Sequence, residues 1–209
     1  MRHLLYRLPE IFVRAILWLL THSFYRIRTI NKNVIPDKGA ALLVSNHLSY
    51  IDGLLICATT HRPVRFMMLE HIYHNKWIHW LAKLLRTIPV KSGKGLIQSV
   101  EEARQALKKG EIICVFPEGD ISRTGNLLPF KRGLTRLAKD LDIPIIPVHL
   151  DGVWGSFFSY AGGQFFFKAP LQFSYPVTIS FGNPVASHTP AHELRRLIQE
   201  LATDAFPKR

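Results

Sequence analysis

Residues 40–53 read AALLVSNHLSYIDG, and the change of character after Ser45 decides the fold class. Ala40–Ser45 is a short apolar run bounded by Gly39 and by the polar Asn46, the pattern of a strand buried on both faces. Two further runs have the same form: residues 111–116 (EIICVF), ended by Pro117, and residues 143–148 (IPIIPV). Helical patterns lie between and after them. Ile97, Val100, Ala103 and Leu107 recur at three- and four-residue spacing, and Gly110 closes that segment as a left-handed cap would. Thr189 and Pro190 open a helix whose Leu194, Leu197, Ile198 and Leu201 form one stripe. Buried strands alternating with helices predict an α/β fold: a single domain with a mostly buried mixed sheet flanked by helices.

The chain has 209 residues, 47% of them apolar and 20% charged, which suits one globular domain and excludes disordered and collagen-like classes. Lys and Arg number 27 against 15 Asp and Glu, a net charge of +12 that favours an acidic partner such as an anionic membrane, a phosphorylated substrate or an acidic carrier protein. Cys57 and Cys114 both sit in apolar surroundings and read as buried thiols. No zinc pattern or RNA-binding aromatic signature accompanies the charge, so a nucleic-acid partner is not expected, and a basic binding module without chemistry rests on charge alone. Neither metal nor cofactor is implied; His71 and His74 are the one histidine pair with ligand-like spacing.

Residues 1–30 are expected to form an N-terminal membrane-interfacial helical segment, with residues 31–209 as the main domain. The stretch between Arg14 and Arg26, free of charge from Ala15 to Tyr25, has 11 residues, whereas a spanning helix needs about 20. Arg26 and Arg28 follow the apolar part and no small-residue cleavage site appears, unlike a signal peptide. An interfacial amphipathic helix with Arg7, Arg14, Arg26 and Arg28 facing phosphates fits this pattern, and so does a helix packed on the domain.

Two loops carry the unusual chemistry. After the first strand, His47 and Asp52 are five residues apart, so they meet only if His47 lies in a turn before the helix that holds Asp52. Ser49 and Asp52 form the Ser-x-x-Asp capping pattern that would supply this geometry. Such a pair serves either as base and orienting carboxylate or merely as turn and cap. After the second strand, residues 115–125 (VFPEGDISRTG) place Glu118 between Pro117 and Gly119, with Ser122, Arg123 and Thr124 as donors to a phosphate.

Together these loops resemble the two signatures of the glycerolipid acyltransferases related to 1-acylglycerol-3-phosphate acyltransferase: NHLSYID fits Asn-His-x-Ser-x-x-Asp, and FPEG fits the second. TIPVKSGKG and IPIIPVHLDG look like later blocks of that family. FPEGDISRTGNLLPF followed by a Lys-Arg-Gly more narrowly resembles the acyltransferase module of bacterial 2-acylglycerophosphoethanolamine acyltransferases, which in some chains adjoins an acyl-ACP synthetase, implying one module of a larger system. The resemblance implies that His47 is a general base and Asp52 its orienting partner. It implies that Asn46, Ser49, Lys91, Glu118, Gly119, Ser122, Arg123 and Lys131 bind substrate, without a cofactor. The partners it implies are an acyl thioester donor (acyl-ACP or acyl-CoA), a lysophospholipid acceptor and an anionic membrane, with the enzyme peripheral on its cytoplasmic face, the bacterial inner membrane. Two departures stand out: Ile121 replaces an Arg common three residues after the Glu, and Lys91-Ser92 replace Asp-Arg. Both point to a diester acceptor such as lysophosphatidylethanolamine, with lysophosphatidic acid as the alternative.

Residues 154–175 hold nine aromatics, a pattern suited either to a hairpin tip in the headgroup region or to a pair of core strands. Lys83, Arg86, Lys91 and Lys94 form one basic neighbourhood, Lys131, Arg132 and Arg136 another, and Arg195 and Arg196 a third. On one shared face they would attract anionic lipid and an acidic carrier.

Overall fold

In the computed structural model of the chain, β2 (Ala41–Ser45) and β5 (Ile112–Val115) are buried at every position and pair in parallel at the centre of a seven-stranded sheet. The structure describes residues 15, 18, 19, 21–131, 134–163 and 174–204. Beside β2 lie β6 (Ile145–Asp151), β7 (Tyr175–Phe181) and β1 (Tyr25–Ile30); beside β5 lie β3 (Val64–Leu69) and β4 (Ile88–Val90). The strand order is β1-β7-β6-β2-β5-β3-β4. Only the β6–β7 pairing is antiparallel, so the sheet is mixed. The C-terminal ends of β2 to β6 and the N-terminal ends of β1 and β7 therefore share one edge.

Helices cover both faces, which is why the central strands carry apolar side chains without alternation. On one face α1 (Asp52–Thr59) packs Leu55, Ile56 and Cys57 against Leu43, Phe66, Cys114 and Val148. On the other, α4 (Gly95–Lys108), α5 (Leu134–Ala138) and α6 (Ala191–Asp204) pack Ala103, Leu107, Leu137, Leu194 and Ile198 against Leu42, Val44, Ile113 and Ile145. Each Leu or Ile so buried contributes about 1.5–3 kcal/mol relative to exposure. Two short helices, α2 (Glu70–Tyr73) and α3 (His79–Leu84), join β3 to β4. Cys57 and Cys114 are free and buried, and burial pushes the Cys114 thiol well above its usual range.

The connection from β2 runs by α1 toward β3, whereas that from β5 runs by α5 toward β6. Parallel crossovers are right-handed as a rule, so connections in opposite directions lie on opposite faces, as α1 and α5 do. Adjacent strands whose connections diverge open a crevice at their C-terminal ends. The His-Asp loop leaves β2 there, and the Pro-Glu-Gly loop leaves β5.

Three sequence expectations change. Tyr25–Ile30, assigned to the N-terminal segment, is instead an edge strand in parallel register with Tyr175–Ser180. Its alternation explains the pairing: Tyr25 is buried and Ile27 half-buried while Arg26 and Arg28 are exposed. Residues 21–24 are helical immediately before it. Arg7, Arg14 and most of the expected interfacial helix lie outside the described residues. Among the described residues no helix is long and apolar enough to cross a membrane. Ile97, placed in the buried stripe of α4 by spacing, is 70% exposed because it lies in the first turn, before the helix packs on the sheet. Of the aromatic stretch 154–175, residues 154–163 form turns with one bridge at Ser159 and no strand. Phe165, Phe166, Phe167 and Phe173 lie outside the described residues.

Gly152, where β6 ends, has φ +74°, and a Cβ there would collide with the carbonyl oxygen of Pro176. Gly152→Ala should destabilise the fold by roughly 2–4 kcal/mol, through left-handed backbone strain and a contact that cannot relax, as read from chemical denaturation.

Candidate active site

Asp52 opens α1 with its side chain fully buried and with both oxygens occupied. Oδ2 accepts from His47 Nδ1 at 2.8 Å, from the Leu48 amide at 2.6 Å and from the Ser49 amide at 2.9 Å. Oδ1 accepts from the Ser49 hydroxyl at 2.7 Å. A carboxylate that faces two N–H donors must accept from the imidazole too, so His47 carries its proton on Nδ1 and leaves the Nε2 lone pair free for chemistry. The capping pattern is thus half realised: Asp52 reaches back to the turn, but the Ser49 hydroxyl binds the carboxylate and not the amide at position 52. The His47 ring lies flat on Phe116 at 4.0 Å, with 19% of its side chain exposed, and Nε2 has no protein partner among the described residues.

Glu118 does not project into solvent from its turn. It is 4% exposed and turned inward, where Oε1 accepts from the His47 amide at 2.8 Å and Oε2 from the Leu128 amide at 2.7 Å. A second strut runs the other way, from the Ser122 amide to the His47 carbonyl at 2.9 Å. Desolvation outweighs those two amides and raises the Glu118 carboxyl to about 7.

Asn46 and Ser122 are also structural. The Asn46 side chain pairs doubly with the backbone of Leu150, at 2.9 and 2.8 Å, and the Ser122 hydroxyl donates to the Asn126 carbonyl at 2.7 Å; both residues are buried. The side chains of both meet backbone groups of the protein itself, because the loop ends are buried and their backbone groups need partners. Gly119 has φ +70°, and the Lys131 side chain crosses it closely, with Nζ 3.4 Å from its carbonyl oxygen. Ile121, the departure from the family pattern, is buried.

Arg123 is exposed, with its guanidinium 5.5 Å from the centre of the Tyr160 ring. Tyr160 hydrogen-bonds Tyr50 through the two hydroxyls at 2.8 Å, the Tyr50 amide donates to the Phe158 carbonyl, and Ser49 bridges Ser159. Residues 158–160 therefore dock on the catalytic loop. Neither Tyr50 nor Tyr160 was singled out from sequence for a role at the site; the aromatic density of the segment was the available signal.

Lys91 stands apart. It follows β4, two strands or about 10 Å from β5, and is exposed. Several cations of the three basic neighbourhoods have partners within the chain. Arg86 pairs with Glu111 just before β5, Arg196 pairs with Glu200, and Arg195 donates to the Leu127 and Leu128 carbonyls. Arg132 lies outside the described residues.

His47→Ala should lower turnover by about 10²–10⁴ and cost about 1–3 kcal/mol of stability, because buried Asp52 loses one of its four donors. Asp52→Asn should lose activity to a similar degree and stability as well, because an amide cannot accept from all four donors. A raised carboxyl in the folded state means the native form binds more protons than the unfolded one between 4.5 and about 7, so stability should fall as pH rises through that window. Melting temperatures across that window should show the slope, and Glu118→Gln should flatten it.

The Acyltransferase family matches residues 26–151. A probable 1-acyl-sn-glycerol-3-phosphate acyltransferase of Mycoplasma pneumoniae is 26% identical over 158 residues, covering 70% of this chain and 59% of that protein. The Bacillus subtilis 1-acyl-sn-glycerol-3-phosphate acyltransferase is 25% identical over 127 residues, covering 60% and 63%. One from Cocos nucifera is 34% identical over 143 residues, covering 66% and 44%. The chain thus spans about three fifths of the length of the first two. The crystal structure of the 1-acyl-sn-glycerophosphate acyltransferase PlsC of Thermotoga maritima superposes with a TM-score of 0.72 at 22% identity, covering 96% of this chain and 77% of that one, which establishes a shared fold. With the matched region spanning the whole crevice from β1 to the end of β6, the chain belongs to the glycerolipid acyltransferase family.

Proposed function

We propose that this chain transfers a fatty acyl group from a thioester to the free hydroxyl of lysophosphatidic acid. The observation that carries the transfer chemistry is the His47–Asp52 pair, with Nδ1 held at 2.8 Å and Nε2 left open beside the crevice. Nε2 takes the proton of the acceptor hydroxyl as the oxygen attacks the thioester carbonyl. The tetrahedral adduct collapses by breaking the C–S bond, and the imidazolium returns its proton to the departing thiolate. Asp52 stabilises the imidazolium in between, and no covalent enzyme intermediate forms.

The acceptor assignment reverses the sequence expectation of a diester. The relatives in three organisms carry the name 1-acyl-sn-glycerol-3-phosphate acyltransferase, which supports a phosphomonoester. The absence of an Arg at position 121 is offset by two cations on the same loop: Arg123, steadied by Tyr160, and Lys131, lying across Gly119. Two cations suit a dianionic phosphate better than a monoanionic diester. The donor is an acyl thioester on carrier protein or coenzyme A, and the enzyme works as a peripheral protein on the cytoplasmic face of the membrane.

The purified chain should be assayed with both thioester donors against lysophosphatidic acid, lysophosphatidylethanolamine and lysophosphatidylglycerol. Lysophosphatidic acid should give the highest kcat/KM. Arg123→Ala should raise its KM by about 10–100-fold, the loss of one charge-assisted bond, and affect the diesters less. A higher kcat/KM for either diester would overturn the assignment and restore lysophosphatidylethanolamine as the leading acceptor.

A further inference from the structure

Seven large apolar side chains are strongly exposed among the described residues: Trp18, Leu19 and Phe24, and then Trp77, Trp80, Leu96 and Ile97. Scattered single exposures are ordinary on a soluble surface. These are not scattered. The first three lie in the helical stretch that enters β1 at its N-terminal end. Trp77 and Trp80 follow the C-terminal end of β3, and Leu96 and Ile97 follow that of β4. All three connections meet the sheet at the edge that bears His47 and Glu118. β1 and β4 are the outermost strands, six spacings apart, so the two groups stand about 29 Å from each other with the catalytic crevice between them.

The β3–β4 corner is the more exposed of the two, with Trp77 at 88%, Trp80 at 61%, Ile97 at 70% and Leu96 at 40%. Lys76, Lys83, Lys91 and Lys94 surround these residues in sequence; all four are exposed, and none has an ion pair among the described residues. Arg86, by contrast, is drawn to Glu111 at the opposite edge. Tryptophan interleaved with free lysine is the composition that sits at a bilayer interface, indole in the headgroup region and ammonium on phosphate. An acidic carrier protein would account for the lysines but not for two tryptophans and an isoleucine held open to solvent.

We infer that this corner, comprising residues 76–83 and 91–97, docks on an anionic phospholipid bilayer and sets the catalytic edge down on the membrane plane. Only the activity arm of its test rests on the acyl-transfer reading above. The crevice would then face the leaflet from which a lysophospholipid is drawn, held there on both sides and not from the N-terminal side alone.

Flotation of the full chain with vesicles tests this directly, comparing phosphatidylcholine alone with phosphatidylcholine containing phosphatidylglycerol. Trp77→Ala/Trp80→Ala/Ile97→Asp should lower partition into the anionic vesicles by about tenfold, with an unchanged melting temperature. Lys76→Glu/Lys83→Glu/Lys94→Glu, which alters only exposed charges, should lower it comparably and abolish the preference for anionic lipid. Turnover of a short-chain, monomeric acceptor should be unchanged in both variants while turnover of bilayer-embedded acceptor falls. Unchanged partition in both variants overturns the inference. So does loss of turnover confined to the carrier-protein donor with vesicle binding intact, which would make the corner a carrier dock. If the wild-type chain transfers no acyl group, flotation still decides the docking, so the two readings fail separately.

Discussion

The Glu118 carboxylate is the tie on which the geometry of the crevice depends. Its two oxygens hold amides from both loops, that of His47 after β2 and that of Leu128 beyond β5. Adjacent parallel strands bring their C-terminal ends together, but nothing in strand pairing fixes how two irregular loops lie against each other. A buried carboxylate with one amide on each oxygen does so, because leaving either donor unpaired would cost about 1–3 kcal/mol. The reverse bond from Ser122 to the His47 carbonyl closes the link. His47 is consequently held by its backbone from one side and by its Nδ1 from the other, and only Nε2 is left to react.

The two acidic residues in the crevice have different work although both are buried. Asp52 meets four donors, the imidazole among them, and so fixes the orientation of the His47 ring. Glu118 meets two backbone amides in a drier place, where burial outweighs hydrogen bonding. Proximity to histidine in space decides the role: Asp52 reaches the ring, whereas Glu118 reaches only the amide of the same residue. A reading of motifs by residue type assigns both to the substrate or the chemistry, and geometry separates them.

The central strands and both loops were legible in sequence because buried parallel strands are uninterrupted apolar runs and the loops begin where those runs stop. Edge strands were harder to read. Tyr25–Ile30 is a strand with alternating charge that follows an apolar helical stretch, so periodicity merged it with its neighbour. Asn46, Ser122 and Glu118 were recognised as site residues but not as structural ones. Their partners are backbone groups of Leu150, Asn126 and Leu128, and a main-chain acceptor or donor leaves no signature in side-chain identity. Ile121 is buried, so its position faces the interior, whereas Arg123 is exposed beside Tyr160 and Lys131 crosses Gly119 on the same loop.

Tyr160 ties the segment after β6 to both loops of the crevice. The family match ends at residue 151, and the turns that follow fold back to pair Ser159 with Ser49 and to place a tyrosine ring under Arg123. An exposed arginine on a flexible loop binds phosphate only after its rotamer freedom is lost, at a cost of up to about 2 kcal/mol. A ring that already restrains the guanidinium, itself fastened through Tyr50 to the catalytic loop, removes part of that cost before the acceptor arrives. On the proposed reading the same contact links the headgroup site to the base, since Tyr50 lies between His47 and Asp52 in the turn that orients the imidazole.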